Sequence, residues 1–135
     1  MNASIARALM IAGLAAVSTA RAEGLHVVRR LPGYQCIGVE IVGDQPMASF
    51  NILPPVHEAP SADSPSIAGA QAAMLAVSPL RVVNGFVEVV LPNHRHGWVA
   101  QRLVESWHSV SLPRSRCYAA VMSDGSWAFD YDMGQ

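Results

Sequence analysis

Three observations predict that the chain forms one all-β domain. Its 135 residues are enough for a single domain of ordinary size and too few for two. The apolar residues form short runs, and no run keeps the 3.6-residue period of a helix for more than two turns. Proline, glycine, asparagine and aspartate interrupt these runs at intervals, as they do where short strands end in turns.

The N-terminal segment differs from the rest of the chain, which is 51% hydrophobic overall. Residues 1–22 begin with one basic side chain, Arg7, followed by a short apolar run and then Ala20-Arg21-Ala22. The run is shorter than the roughly 20 residues with which a helix crosses a bilayer, and small residues two apart suit signal peptidase. We therefore predict a signal peptide and an exported, periplasmic or secreted protein; a retained membrane anchor is the alternative.

The charge of the chain argues against two kinds of partner. Its formal net charge is -1, and removal of the signal peptide takes away two of the nine basic residues. The rest contains arginine but no lysine and has no basic cluster. Nucleic acid phosphates and anionic lipids both require such clusters. We expect a monomer that binds neither nucleic acid nor, after signal removal, a membrane.

Two cysteines, Cys36 and Cys117, follow the predicted signal peptide. Export brings them into a compartment that oxidises thiols, so we predict one disulfide bond between them. The closed loop of roughly 80 residues would stabilise the fold by about 4.5 kcal/mol on the chain-entropy model. Two buried free thiols are the alternative.

The predicted strands follow one another at short intervals. A possible strand at residues 26–30 belongs to a lead-in that covers residues 23–49. The other predicted strands are Tyr34–Val42, Ala48–Leu53, Ala72–Val77, Gly85–Leu91, Gly97–Val99, Arg116–Met122 and Ser126–Asp132.

Turn residues separate these strands. Asn84–Gly85 and Ser123–Gly125 contain residues that tolerate positive φ, as tight hairpins require, and Pro92–Gly97 predicts a longer hairpin tip. Four prolines lie in Pro54–Gly69, which makes a central strand or a helix unfavourable there. We predict that this segment is a long ordered loop or an irregular edge.

Part of the chain resembles a known family. The proline- and serine-rich run Asn51–Gly69, the apolar strand Ala72–Val77, the Asn-Gly-Phe-Val-Glu-Val motif within Val83–Val89 and the Gly-Trp-Val motif at Gly97–Val99 are similar to those of a bacterial Src homology 3 domain. The resemblance covers residues 50–104. It implies a small Src homology 3-like β-barrel, in which a short helical turn follows the Gly-Trp-Val motif.

The tail at residues 105–135 lies outside this resemblance. Its segments Cys117–Met122 and Trp127–Tyr131 flank the turn at Asp124 and predict a C-terminal β-hairpin extension. A bond from Cys117 to Cys36 would attach that hairpin to a strand that enters the barrel.

The resemblance also implies a function. Small barrels of this class bind extended peptides or glycan–peptide polymers in a shallow groove lined by aromatic side chains. We therefore expect a non-enzymatic binding module for cell-wall peptide or glycan, or for a periplasmic partner protein. Its candidate ligand-binding residues are Tyr34, Phe86, Trp98 and Trp107. As alternatives, Phe86 and Trp98 fill the core, and Trp107 packs under the C-terminal hairpin.

Two further interpretations stay open. In the first, His94 and His96 on the hairpin tip hold zinc or nickel with a third ligand from His57 or Glu58. In the second, the protein is an interaction or inhibitor domain without cell-wall affinity that docks through Pro54–Gly69. Serine and carboxylate residues form no catalytic pattern, so we predict no enzyme activity, no cofactor and no metal.

Overall fold

The structure, a computed structural model, describes residues 24–41 and 53–134. Within these two ranges the chain forms eleven β-strands, one 3₁₀ turn and no α-helix, so the all-β prediction is confirmed. The predicted signal peptide and the predicted strand at residues 48–52 lie outside the described residues, and Leu53 is not in a strand. No helix in the described ranges has the length and hydropathy needed to cross a membrane.

The strands are short and most coincide with predicted ones. A 3₁₀ turn at Gln101–Leu103 follows the eighth strand, where a short helical turn was expected. The strands are β1 Val27–Arg30, β2 Tyr34–Val39, β3 Pro55–His57, β4 Ser66–Gly69, β5 Ala73–Val77, β6 Val82–Val83, β7 Phe86–Val90, β8 His96–Ala100, β9 Val104–Ser106, β10 Arg116–Met122 and β11 Trp127–Asp132.

These strands form two antiparallel sheets. The large sheet has eight strands in the order β4-β3-β8-β7-β5-β2-β9, with β6 beside β7, and the small sheet has three in the order β1-β10-β11. Among the described residues, β4 and β9 at the two ends of the large sheet do not pair with each other, so this sheet is open. These two open sheets do not confirm the closed barrel that the resemblance implies.

The regions predicted from the sequence do not coincide with the two sheets. Strand β2 comes from the predicted lead-in, yet it lies inside the large sheet between β5 and β9. Strand β1, from the same lead-in, pairs with β10 of the C-terminal region. The proline-rich segment is partly regular, because β3 and β4 pair in a hairpin whose register shifts between Val56 and His57. Pro55 stands at the first position of β3, where a strand tolerates proline.

The main hydrophobic core lies on one face of the large sheet. Alternate residues of each strand point to this face, so valines and isoleucines two apart are buried together. Gly97 is also buried there, and a Cβ at this position would collide with the Val56 side chain. A glycine on β8 thus allows β3 to approach closely. The core residues are Ile37, Val39, Val56, Ala70, Met74, Ala76, Val89, Val99 and Leu103.

The small sheet covers part of the opposite face. Cys36, Leu75 and Val90 of the large sheet pack there against Ala119 of β10. A disulfide bond joins Cys36 on β2 to Cys117 on β10, with 5.9 Å between the Cα atoms, and it confirms the predicted pairing. It therefore connects the two sheets directly.

Candidate functional site

A second part of the face opposite the main core is not covered by the small sheet. Strands β7 and β8 pair so that Glu88 lies beside Trp98 and Phe86 beside Ala100. Because Val87, Val89 and Val99 are buried on the core side, their neighbours in sequence point the other way. We refer to this surface as the Trp98 face; its residues are His57, Arg81, Phe86, Glu88, His96 and Trp98.

Glu88 is the centre of the Trp98 face. This residue is only 7% exposed, and burial of a carboxylate is costly unless other groups pair with it. The Nη1 of Arg81 donates to Glu88 Oε2 at 3.0 Å. The Nδ1 of His96 lies 2.7 Å from Glu88 Oε1. Both carboxylate oxygens therefore have a partner on the Trp98 face.

Arg81 also contacts the aromatic ring beside it. Its Cζ lies 5.6 Å from the centroid of the Trp98 ring, within the range of a cation–π interaction. The Arg81 side chain is nevertheless 65% exposed, and that of His96 is 43% exposed. The face thus combines a buried negative charge with an exposed guanidinium and a half-buried indole.

A tight hairpin places Arg81 opposite Glu88. Asn84 and Gly85 both have positive φ, 51° and 77°, as a type I′ turn requires. Val83 then pairs with Phe86 and Val82 with Val87, which brings Arg81 next to Glu88. The backbone N–H of Glu88 donates to the Arg81 carbonyl at 3.0 Å and closes this step of the ladder.

The turn between β3 and β4 borders the Trp98 face. The ring of His57 meets the ring of Phe86 edge to face, with 5.5 Å between the centroids. Its Nδ1 is 2.8 Å from the carbonyl oxygen of Ser64 in that turn. The amide of Asn84 donates to the Pro60 carbonyl at 3.1 Å. These contacts hold the turn beside the aromatic residues.

The four predicted ligand-binding residues divide into two pairs. Phe86 and Trp98 are half-buried on the Trp98 face, outside both hydrophobic clusters. Tyr34 and Trp107 instead pack against the second cluster, under the small sheet. The Tyr34 ring lies 5.0 Å from the Trp127 ring, and the Trp107 ring 5.7 Å from the Tyr131 ring. We call these four rings, Tyr34, Trp107, Trp127 and Tyr131, the junction aromatics.

The histidines considered as metal ligands have separate partners. His94 Nε2 is 2.8 Å from the Gly125 carbonyl oxygen, and its ring stacks on Trp127 with 4.3 Å between the centroids. His96 faces Glu88 instead, and Glu58 lies 3.6 Å from Arg95. In the part of the chain that the structure describes, no three His, Cys, Asp or Glu residues are grouped as metal ligands.

Sequence reasoning missed Arg81 and Glu88. A signal for this pair was present, because a two-residue turn at Asn84–Gly85 pairs the residues on either side in a fixed order. Counting outward from the turn places residue 81 opposite residue 88. The burial of Glu88 was not visible in the same way, since it depends on how neighbouring strands surround that position.

An apolar groove lies between the two sheets. It has a volume of about 780 Å³ and is lined by β4, by β5, by the end of β7 with the segment after it, and by the start of β11. Trp127 and Phe129 form its side on the small sheet, and Met74 and Leu75 form its side on the large sheet. Unlike the Trp98 face, this groove contains no charged side chain.

Fold and site together define a disulfide-linked, all-β domain of two sheets in which the Trp98 face combines aromatic and charged side chains. No protein-family model, curated protein or solved structure matches the chain.

Proposed function

We propose that the protein is an exported, non-enzymatic binding module that recognises cell-wall peptide or glycan through the Trp98 face. One observation carries the proposal: Trp98 is half-buried on an open sheet face and lies beside the exposed guanidinium of Arg81. An indole in this position offers apolar area to a ligand without unfolding anything around it. Arg81, which lies beside the ring, is itself paired with Glu88.

The chemistry of the face suits a polymer made of sugars and peptides. Aromatic rings stack on the apolar faces of sugars and of extended peptides and provide broad, rigid contact area. Arg81 and His96 add polar groups at the edge of that area, and a few such groups orient a ligand in a shallow groove. Phe86 extends the apolar surface towards the β3–β4 turn.

The proposal includes an Src homology 3-like arrangement for residues 50–104. It is supported by the hairpin β6–β7, by the pairing of β7 with β8 and by the 3₁₀ turn after the Gly-Trp-Val motif. The disulfide supports a periplasmic or secreted location, because such bonds persist in oxidising compartments. We propose that the protein works there as a monomer.

Sedimentation with purified peptidoglycan tests this function. We expect the protein to sediment with the polymer and Trp98→Ala to raise the dissociation constant about tenfold, since a stacked aromatic ring contributes of the order of 1.5 kcal/mol. Tyr131→Ala is the matched control, because Tyr131 is an exposed aromatic residue on the small sheet. Its binding should equal that of the unmodified protein.

The opposite results are equally clear. If the unmodified protein stays wholly in the supernatant, the cell-wall function is wrong. If Trp98→Ala and Tyr131→Ala bind equally well, the Trp98 face is not the binding surface. Circular dichroism of both variants establishes that each remains folded.

A partner protein is the second candidate ligand. Leu80, Val82 and Val83 are exposed next to Arg81, and this apolar strip borders the Trp98 face. Apolar residues beside an arginine are common in protein interfaces. Co-purification of a stoichiometric partner, together with no sedimentation on peptidoglycan, would favour this function over the first.

A further inference from the structure

Arg81 has more binding capacity than Glu88 uses. A guanidinium carries five N–H donors in a planar fork, and only Nη1 donates to the Glu88 carboxylate. Glu88 also receives His96 on its other oxygen, so the buried carboxylate does not depend on Arg81 alone. With 65% of its side chain exposed, Arg81 is open to a group that approaches from solvent.

The orientation of Arg81 is restricted from two sides. Glu88 holds one edge of the guanidinium at 3.0 Å, and the Trp98 ring lies 5.6 Å from its Cζ. An arginine fixed in this way loses little side-chain freedom when a ligand binds, and its fork matches the two oxygens of a carboxylate. A freely moving surface arginine has no such advantage.

The ion pair with Glu88 leaves part of the Arg81 guanidinium available to an anionic group. Glu88 is buried, and both of its oxygens already have partners, so the carboxylate itself does not contact a ligand. His96, on the other oxygen of Glu88, and Arg95, on the hairpin tip, also have exposed side chains. Glu58 is the acidic group nearest Arg95, and the two side chains are both more than half exposed.

We infer that Arg81, positioned by Glu88 against Trp98, binds a carboxylate of the ligand, so that the Trp98 face selects cell-wall peptides with free carboxyl groups over their amides. This inference rests on the proposed function. It assigns Arg81 to the binding contact and makes Glu88 a positioning residue. Trp98 stacks on the neighbouring part of the same ligand.

Calorimetric titration with a chemically matched pair of ligands tests this selectivity. The probes are a disaccharide tetrapeptide released from peptidoglycan and the same molecule after its carboxyl groups are converted to carboxamides. We expect the unmodified protein to bind the free acid about tenfold more tightly, in line with the strength of charge-assisted hydrogen bonds.

Three variants separate the roles of the residues. Arg81→Lys keeps the positive charge beside Glu88 but removes the fork, so the preference should fall to about threefold or less. Glu88→Gln should lower the preference while affinity for the amide stays unchanged, which a purely structural role would not produce. Arg29→Gln, which changes an exposed arginine on β1 of the small sheet, should keep the full preference.

The outcomes distinguish this inference from the proposed function. Equal affinity of the unmodified protein for both probes overturns the inference and leaves cell-wall binding in place. A tenfold preference that persists in Arg81→Lys and Glu88→Gln also overturns it, because the carboxylate would then bind elsewhere. Failure to bind either probe overturns the proposed function and the inference together.

Discussion

The Trp98 face and the junction aromatics both contain half-buried rings, Trp98 in the first and Tyr34 and Trp107 in the second, yet the surroundings of these rings differ. Trp98 lies beside the ion pair of Arg81 and Glu88, two residues that face each other across the β6–β7 hairpin. Trp107 and Tyr34 are held by a second sheet and lie next to a disulfide bond. The comparison shows that rings of similar exposure differ in what packs against them: the small sheet packs against Tyr34 and Trp107, and an arginine lies beside Trp98.

Removal of the disulfide should cause the largest loss of stability and should leave the Trp98 face unchanged. The bond links residues 81 positions apart, so its loss in Cys36→Ser/Cys117→Ser should lower the free energy of unfolding by about 4.5 kcal/mol. Urea denaturation of the oxidised protein and the double variant measures this. At a temperature where the double variant is folded, its peptidoglycan binding should be unchanged. A loss below about 1 kcal/mol would mean that packing alone holds the two sheets together.

Replacement of Trp107 should separate stability from binding. Trp107 is half-buried against Tyr131 and the second cluster, so Trp107→Ala should lower the free energy of unfolding by about 3 kcal/mol. Its binding to peptidoglycan should stay within twofold of the unmodified protein. Trp98→Ala should show the reverse pattern in the same two measurements. If Trp107→Ala abolishes binding while the protein stays folded, the junction aromatics belong to the ligand site.

The turn between β10 and β11, which contains Asp124, should give the smallest effect, seen as a dependence of stability on pH. Hydrogen bonds from the Ser126 hydroxyl and backbone N–H lower the pKa of Asp124 below its ordinary value. A carboxyl group with a lower pKa in the folded state stabilises that state above its unfolded pKa. This stabilisation is lost as the pH falls through the folded pKa.

Thermal melts across the acidic range measure the contribution of Asp124. Asp124→Asn should remove the part of the pH dependence that belongs to this turn and leave the Trp98 face unaffected. The Asn84–Gly85 turn, which has no carboxyl group, provides the internal comparison. An unchanged acid profile in Asp124→Asn would mean that the hydrogen bonds to Ser126 do not contribute to folding.

Local patterns predicted much of the fold. Short apolar runs and turn residues located β2, β5, β7, β8, β10 and β11, because strand alternation and tight-turn chemistry act over a few neighbouring residues. The short strands β3 and β4 were not predicted individually, since the four prolines of Pro54–Gly69 are unfavourable in a strand; Pro55 is tolerated at the first position of β3, and β4 contains no proline. Two-residue β6 is too short for any periodicity.

The candidate site was predictable in part. Phe86 and Trp98 were identified as aromatic residues in the right hairpins, and the Asn84–Gly85 turn contained the register that pairs Arg81 with Glu88. The different placement of Tyr34 and Trp107 was not visible, because alternation shows that a residue points to one face of a sheet but not what covers that face. In this protein the covering element, β10–β11, follows Tyr34 by more than half of the chain.

By itself the amino-acid sequence determined the all-β class, the tight turns, most strands and the disulfide partners, because few cysteines and local backbone preferences leave few choices. Only the tertiary structure decided that β2 enters the large sheet, that β1 joins β10 and that Glu88 is buried beneath Arg81 and His96. These features depend on contacts between distant segments. Their free energy comes from which surfaces are removed from water together, and no short stretch of sequence contains that information.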